Sequence, residues 1–82
     1  MNKKRYDNHN QIYKKLREYR EAAGLSQRAM AEKMQEIGIP VYQQLLGKIE
    51  RNERYVLEEE LLGFCRILQV QPAQLMNEEA AD

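Results

Sequence analysis

Apolar residues recur along this chain at the three- and four-residue spacing of an α-helix, in short blocks separated by glycine and proline. In the first block, Ile12, Leu16, Tyr19 and Ala23 keep this spacing until Gly24 supplies the left-handed residue that commonly stops a helix. No block alternates as a strand does. With 82 residues, the chain is long enough for one small core. We therefore expect a single all-α domain of five short helices.

Helix-capping residues set the expected boundaries. Ser26 is a suitable N-cap for a second helix over about 27–37, which Gly38 and Pro40 end. A third helix is expected over about 42–51 and a fourth after it, with an acidic first turn. Pro72 suits the first position of a short fifth helix. The expected organisation is a flexible basic arm over 1–10, a helical domain over 11–77 and a frayed acidic tail over 78–82.

The third helix separates its side chains by chemistry at about 100° per residue. One arc carries amides and cations, namely Gln43, Gln44, Gly47, Lys48 and Arg51. The opposite arc is apolar and consists of Tyr42, Leu45, Leu46 and Ile49. This pattern predicts a helix with one face packed inward and the other face open to a polar partner.

The formal net charge is zero, but the charges are segregated along the chain. Residues 1–54 carry 12 Lys and Arg against 7 Asp and Glu, whereas residues 55–82 carry one Arg against six acids. Such asymmetry favours a polyanion as the partner of the basic half. The alternative is solvated charge that happens to segregate.

Two short helices joined by a glycine-containing connection suit the major groove of double-stranded DNA. A glutamine amide matches the N6/N7 edge of adenine, so Gln43 and Gln44 are candidate base readers. Lys48 lies one turn further, within reach of a guanine edge or a phosphate. Phosphate contacts are expected at the far end of the helix and at the N-terminus of helix two, from Arg51, Arg54, Ser26, Gln27 and Arg28.

The order of these residues resembles the helix-turn-helix domains of the phage repressor and Cro type, also called xenobiotic-response-element-like regulators. The resemblance is carried by LREYREAAGLSQRAMAEKM, QQLLGKIERNER and LLGFCRILQV, and it covers about 16–75. It implies a lambda-repressor-like fold that binds operator DNA as a homodimer and usually represses transcription.

By this resemblance, Gln27 takes a phosphate-contacting position. Gln43, Gln44, Gly47 and Lys48 take positions that face bases. Arg20 and Glu50 match positions that typically form a structural ion pair across the core.

Some features depart from the family pattern. The connection over 35–41 is longer than the tight turn of the phage repressors. Gly47 is costly inside a helix and offers no side chain, so this position either permits closer backbone approach to DNA or reads nothing. Asn52 stands where the family usually has glycine, and asparagine tolerates the left-handed conformation.

Other functions find less support in the sequence. A protein-interaction module, such as the antitoxin of a toxin-antitoxin pair, remains the alternative, with a toxin or co-regulator as the possible protein partner. We expect no enzyme, metal or cofactor, because His9 lacks ligand partners and the acidic residues Glu58, Glu59 and Glu60 are expected to face solvent. Cys65 is expected in the core. No apolar run approaches the ~20 residues that span a membrane, and we expect a cytoplasmic protein.

The basic residues Lys3, Lys4 and Arg5 have two interpretations. They either reach a DNA groove as an arm or form a merely soluble tail.

Overall fold

The computed structural model of the chain describes residues 5–6 and 11–76. Within these residues the helices are α1 (Ile12–Ala22), α2 (Gln27–Glu36), α3 (Gln43–Glu50), α4 (Glu58–Leu68) and α5 (Pro72–Met76). Two short strands, β1 (Arg5–Tyr6) and β2 (Val56–Leu57), complete the described elements. The prediction of an all-α architecture with five helices is confirmed, with this strand pair as an addition.

The helix boundaries follow the capping residues that the sequence offers. Gly24 and Gly38 have φ angles of 75° and 84°, in the left-handed region that ends α1 and α2. Ser26 caps α2, because its Oγ accepts a hydrogen bond of 3.0 Å from the backbone N–H of Ala29. Asn52, two residues after the end of α3, adopts φ 61°, as expected for an asparagine in place of glycine.

The core lies where α1, α2, α3 and α4 meet, and α5 closes it against α1. Its fully buried side chains come from every helix and include Leu16, Met34, Leu46, Phe64 and Leu75. Cys65 is also buried, as expected. Because α3 contacts both α1 and α2, its inner face is held from two sides and its outer face has a defined orientation.

The structure corrects the expected inner face of α3 at Tyr42. This residue is 57% exposed, whereas the sequence pattern assigned it to the apolar arc. The helix begins one residue later, and Tyr42 is its N-cap with an extended backbone (φ −92°, ψ 168°), so the helical arc does not apply to it. Val41 is fully buried instead.

The strand pair was not expected from the sequence. β1 pairs with β2 in antiparallel register, with Arg5 opposite Leu57 and Tyr6 opposite Val56. Two residues are too few to show alternation, so only their backbone partners reveal the strands. The pairing places part of the basic N-terminal segment against the start of α4.

Several predicted features lie outside the described residues. They include Lys3, Lys4 and His9 and the acidic tail over 78–82. Across the described residues, none of the helices has the length and apolar character that crossing a membrane requires.

Candidate nucleic-acid interface

The exposed face of α3 carries the side chains that the sequence assigned to base reading. Leu46 and Ile49 anchor the helix in the core, with exposed fractions of 0% and 1%. Gln43, Gln44 and Lys48 are exposed. None of these three side chains makes a hydrogen bond to another described residue, so their donors and acceptors face solvent.

A shallow groove of about 450 Å³ runs along this face. It is lined by Gln27, Gln43, Gln44, Gly47, Lys48 and Arg51. The structure therefore brings together six of the residues that the sequence analysis selected. Ser26, Arg28 and Arg54 do not line the groove.

Beneath the groove lies a buried polar network. Arg20 donates to both carboxylate oxygens of Glu50, from Nε to Oε2 at 2.7 Å and from Nη2 to Oε1 at 2.9 Å. Arg20 Nη1 also donates to the carbonyl oxygen of Leu25 at 2.7 Å. These contacts join α1, the turn before α2 and the end of α3. The pair implied by the family resemblance is thus present in the structure.

Gln27 extends this network towards the surface. Its Nε2 donates to Glu50 Oε1 at 3.0 Å, and the side chain is only partly exposed. The amide is therefore oriented by the buried carboxylate at the point where α2 begins beside α3. The Gln27 side chain thus extends the buried network to the edge of the groove.

Hydrogen bonding to Glu50 raises the pKa of Arg20, although burial opposes this shift. The guanidinium therefore stays charged at neutral pH. A charged pair with several hydrogen bonds satisfies both buried groups, and no buried side-chain nitrogen or oxygen in the described residues lacks a partner.

Gly47 is buried on the floor of the groove, between the side chains of Arg51 and Gln27. A Cβ at this position would lie 3.1 Å from Arg51 Nη1 and 3.8 Å from Gln27 Oε1. The missing side chain thus makes room for a guanidinium close to the helix backbone. This accommodation is a physical role for a residue that looked unfavourable in the sequence.

Two of the expected phosphate-contacting arginines form exposed ion pairs. Arg28 Nε lies 3.3 Å from Glu32 Oε2, and Arg51 donates from Nε and Nη2 to the two oxygens of Glu53 at 3.2 Å. The hydrogen bond from Arg51 lowers the pKa of Glu53, and Lys48 adds to this effect. Glu53 was not selected from the sequence, although an acid two residues after Arg51 was a visible signal.

Arg54 and Glu60 have a structural role that the sequence analysis missed. Glu60 is 3% exposed, and Glu60 Oε1 accepts hydrogen bonds from Arg54 Nη1 and from the backbone N–H of Leu57. The expectation that Glu60 faces solvent is therefore wrong. The acid ties the N-terminus of α4 to the end of the preceding turn, and this contact uses part of the Arg54 guanidinium.

Two adjacent helices, one presenting its N-terminus and the other an exposed face of amides and cations, define the helix-turn-helix class of DNA-binding domains. The chain belongs to the family described as "Helix-turn-helix domain", whose model matches residues 14–77. The match spans most of the chain and confirms the resemblance found in the sequence.

Two solved structures share the fold. The restriction-modification controller protein C.AhdI from Aeromonas hydrophila is 29% identical, with a TM-score of 0.70, over 83% of this chain and 96% of that protein. The clp gene regulator ClgR from Corynebacterium glutamicum is 26% identical, with a TM-score of 0.74, over 89% of this chain and 72% of that one. A sequence search of curated proteins gives no match.

Proposed function

We propose that this protein is a transcriptional regulator that binds a specific operator in double-stranded DNA, with α3 in the major groove. The observation that carries the proposal is the groove along α3, where Gln43, Gln44 and Lys48 stand exposed beside each other above a rigid buried network. A helix held by its inner face presents these groups at a reproducible angle. Because the helix backbone is already fixed, little backbone freedom is lost on contact, which favours binding.

Gln43 and Gln44 are the proposed readers of adenine edges, and Lys48 the proposed partner of a guanine edge. Of the phosphate contacts expected from the sequence, we propose those of Ser26, Gln27, Arg28 and Arg54. Ser26 and Gln27 lie at the N-terminus of α2, where backbone N–H groups and the helix dipole attract an anion. The pair of Arg28 with Glu32 is exposed on both sides, so a phosphate can replace the carboxylate at little cost.

The two structural neighbours are named as a controller protein and a gene regulator, which favours regulation over a purely protein-binding role. We propose that the protein acts as a repressor and binds a two-fold symmetric operator as a homodimer. The proposed location is the cytoplasm. It has no proposed catalytic role. A protein partner such as a toxin or co-regulator stays a prediction.

Selection of bound duplexes from a random pool tests the proposal. We expect a palindromic consensus whose half-sites are separated by about one helical turn of DNA, 10 base pairs, or a multiple of it. Gln43→Ala and Gln44→Ala are each expected to weaken binding to that consensus by ~1 to 3 kcal/mol and to relax the preference at one base pair per half-site.

Gln71→Ala is the matched control, because Gln71 is an exposed glutamine in the connection between α4 and α5. It is expected to leave affinity and base preference unchanged. A double variant at positions 43 and 44 that binds the consensus with unchanged preference would overturn the assignment of α3 as the reading helix.

A further inference from the structure

We propose that Arg51 reads a guanine base, with its guanidinium lying in the space left by Gly47 and held there by Glu53. This inference rests on the proposed function, since it adds a specificity-determining residue to the same face. It also replaces the phosphate contact assigned to Arg51 from the sequence.

The position of Arg51 follows from the helix geometry. It comes directly after α3, one turn beyond Gly47, and so it continues the row that Gln43 and Gln44 begin. A Cβ added to Gly47 would lie 3.1 Å from Arg51 Nη1, which is too short for an ordinary contact. A side chain at position 47 would therefore require the guanidinium to shift.

The hydrogen bonds of Arg51 leave the useful edge of its guanidinium open. Glu53 accepts from Nε and Nη2, both at 3.2 Å, which occupies the side edge of the group. Of the five N–H donors, one on Nη1 and the second on Nη2 form the terminal edge, which points away from this carboxylate. These two parallel donors match the O6 and N7 acceptors of guanine in the major groove.

The Nη1 end of Arg51 also lies in the groove. Nη1 is the atom beside Gly47, and the groove that contains both residues is lined by Gln43, Gln44 and Lys48. The Arg51 side chain remains 59% exposed, so a base edge can approach it. The guanidinium thus lies in the same groove as the other proposed base readers.

Glu53 argues against a phosphate as the partner of Arg51. The pKa of this carboxyl is lowered, chiefly by the hydrogen bond from Arg51, so it carries a negative charge at neutral pH. Arg51 donates to both oxygens of Glu53, so a phosphate at this guanidinium would have to displace a bidentate carboxylate. The pair of Arg28 with Glu32 has a single hydrogen bond and yields more easily. The Glu53 carboxylate also orients the planar Arg51 guanidinium. This favours a bidentate contact to a base, because such a contact requires a defined orientation.

Base preference, measured by duplex selection with the full chain, distinguishes the two roles. Arg51→Lys keeps the charge and removes the fork, and we expect the preference for guanine at one position per half-site to fall on the order of 10-fold. Arg51→Ala, which removes the charge, is expected to leave the dependence of affinity on salt unchanged, since no phosphate contact is lost. An unchanged base preference in Arg51→Lys together with a salt slope reduced by about one in Arg51→Ala would show a phosphate contact and overturn the inference.

Two further variants test the positioning. Glu53→Gln is expected to lower the guanine preference while raising affinity for unrelated DNA, because a negative charge beside the groove is removed. Gly47→Ala is expected to lower the same preference with the helical circular dichroism retained. If neither variant changes the preference at the position affected by Arg51→Lys, the positioning roles of Glu53 and Gly47 are wrong.

Arg17→Lys serves as the matched control. Arg17 forms an equally exposed arginine–glutamate pair with Glu21 at 3.2 Å on α1, outside the groove. We expect it to change no base preference. Failure of the inference can be distinguished from failure of the proposed function. If only the inference fails, Gln43→Ala and Gln44→Ala still weaken operator binding. If the proposed function fails, these two variants have no such effect.

Discussion

Arg20 on α1 and Glu50, the last residue of α3, are joined by two hydrogen bonds of 2.7 and 2.9 Å. Both residues are 7% exposed. Because Glu50 also accepts from Gln27, one carboxylate links α1, the start of α2 and the end of α3. This junction, together with the core packing of Leu46 and Ile49, sets the angle at which α3 is presented.

Breaking the pair from one side is expected to destabilise the fold strongly. Arg20→Met or Glu50→Met each leaves a buried charge without its partner, and we expect the free energy of unfolding to fall by ~3 to 5 kcal/mol. Urea denaturation followed by circular dichroism measures this loss. The double variant is expected to recover a large part of it, since no unpaired charge then remains.

The exposed pair of Arg17 and Glu21 provides the comparison. Its side chains are 63% and 55% exposed, and Arg17→Met is expected to change the stability by less than about 1 kcal/mol. Equal effects at Arg20 and Arg17 would contradict a structural role for the buried pair.

The two helical glycines are expected to respond in opposite directions to alanine. At Gly63 a Cβ would lie 2.5 Å from Ile39 Cδ1 and 3.0 Å from Met34 Cε, where Met34 is fully buried. Overpacking of this kind costs ~1 to 3 kcal/mol, which exceeds the helix-propensity gain when the core cannot adjust. We therefore expect Gly63→Ala to lower the free energy of unfolding.

At Gly47 the crowded atom is the end of an exposed arginine, which can move into solvent. Gly47→Ala is thus expected to raise the stability by up to about 1 kcal/mol, through helix propensity. Thermal denaturation of the two variants gives the order of their stabilities. A stabilised Gly63→Ala would show that the contact between α4 and α2 is looser than the structure indicates.

The thiol of Cys65 is expected to be unreactive in the folded protein. It is 6% exposed, and burial raises the pKa of the thiol above its ordinary value. A disulfide reagent is expected to label it slowly under native conditions and rapidly in denaturant, as followed by absorbance.

A raised folded-state pKa also determines how stability depends on pH. Below the ordinary pKa of the thiol, its ionisation does not lower the free energy of unfolding. As the pH rises from that value through the raised pKa of the folded state, the free energy of unfolding falls, because the thiol ionises more readily in the unfolded chain. Other groups titrate in this range, so the measured quantity is the difference between the wild type and Cys65→Ala. An identical alkaline decline in both proteins would exclude this contribution.

The helices and the exposed polar face of α3 were predictable from the sequence because both depend on local chemistry. Ser26, Gly24 and Gly38 act within one helical turn of themselves, and their capping roles are those expected. The sorting of Gln43, Gln44 and Lys48 onto one face follows from helical spacing alone. Leu46 and Ile49, on the opposite face, are buried as expected.

Tyr42, Glu60 and the strand pair were not predictable in the same way. Tyr42 is exposed because the helix begins one residue later than the periodicity suggested. Glu60 is buried because Arg54 and the backbone of Leu57 supply its partners. The β1 and β2 strands pair residues about fifty positions apart, and two residues carry no recognisable pattern.

Local spacing and capping residues in the sequence determined that the chain forms short helices, where most of them begin and end, and which face of α3 carries amides and cations. Tertiary structure decided which groups meet across the chain. It brought Glu50 to Arg20 and Gln27, and it placed Arg51 over Gly47 with Glu53 beside it. The physical reason is range, since capping and periodicity act within a turn of helix, whereas buried pairs depend on how separate helices pack.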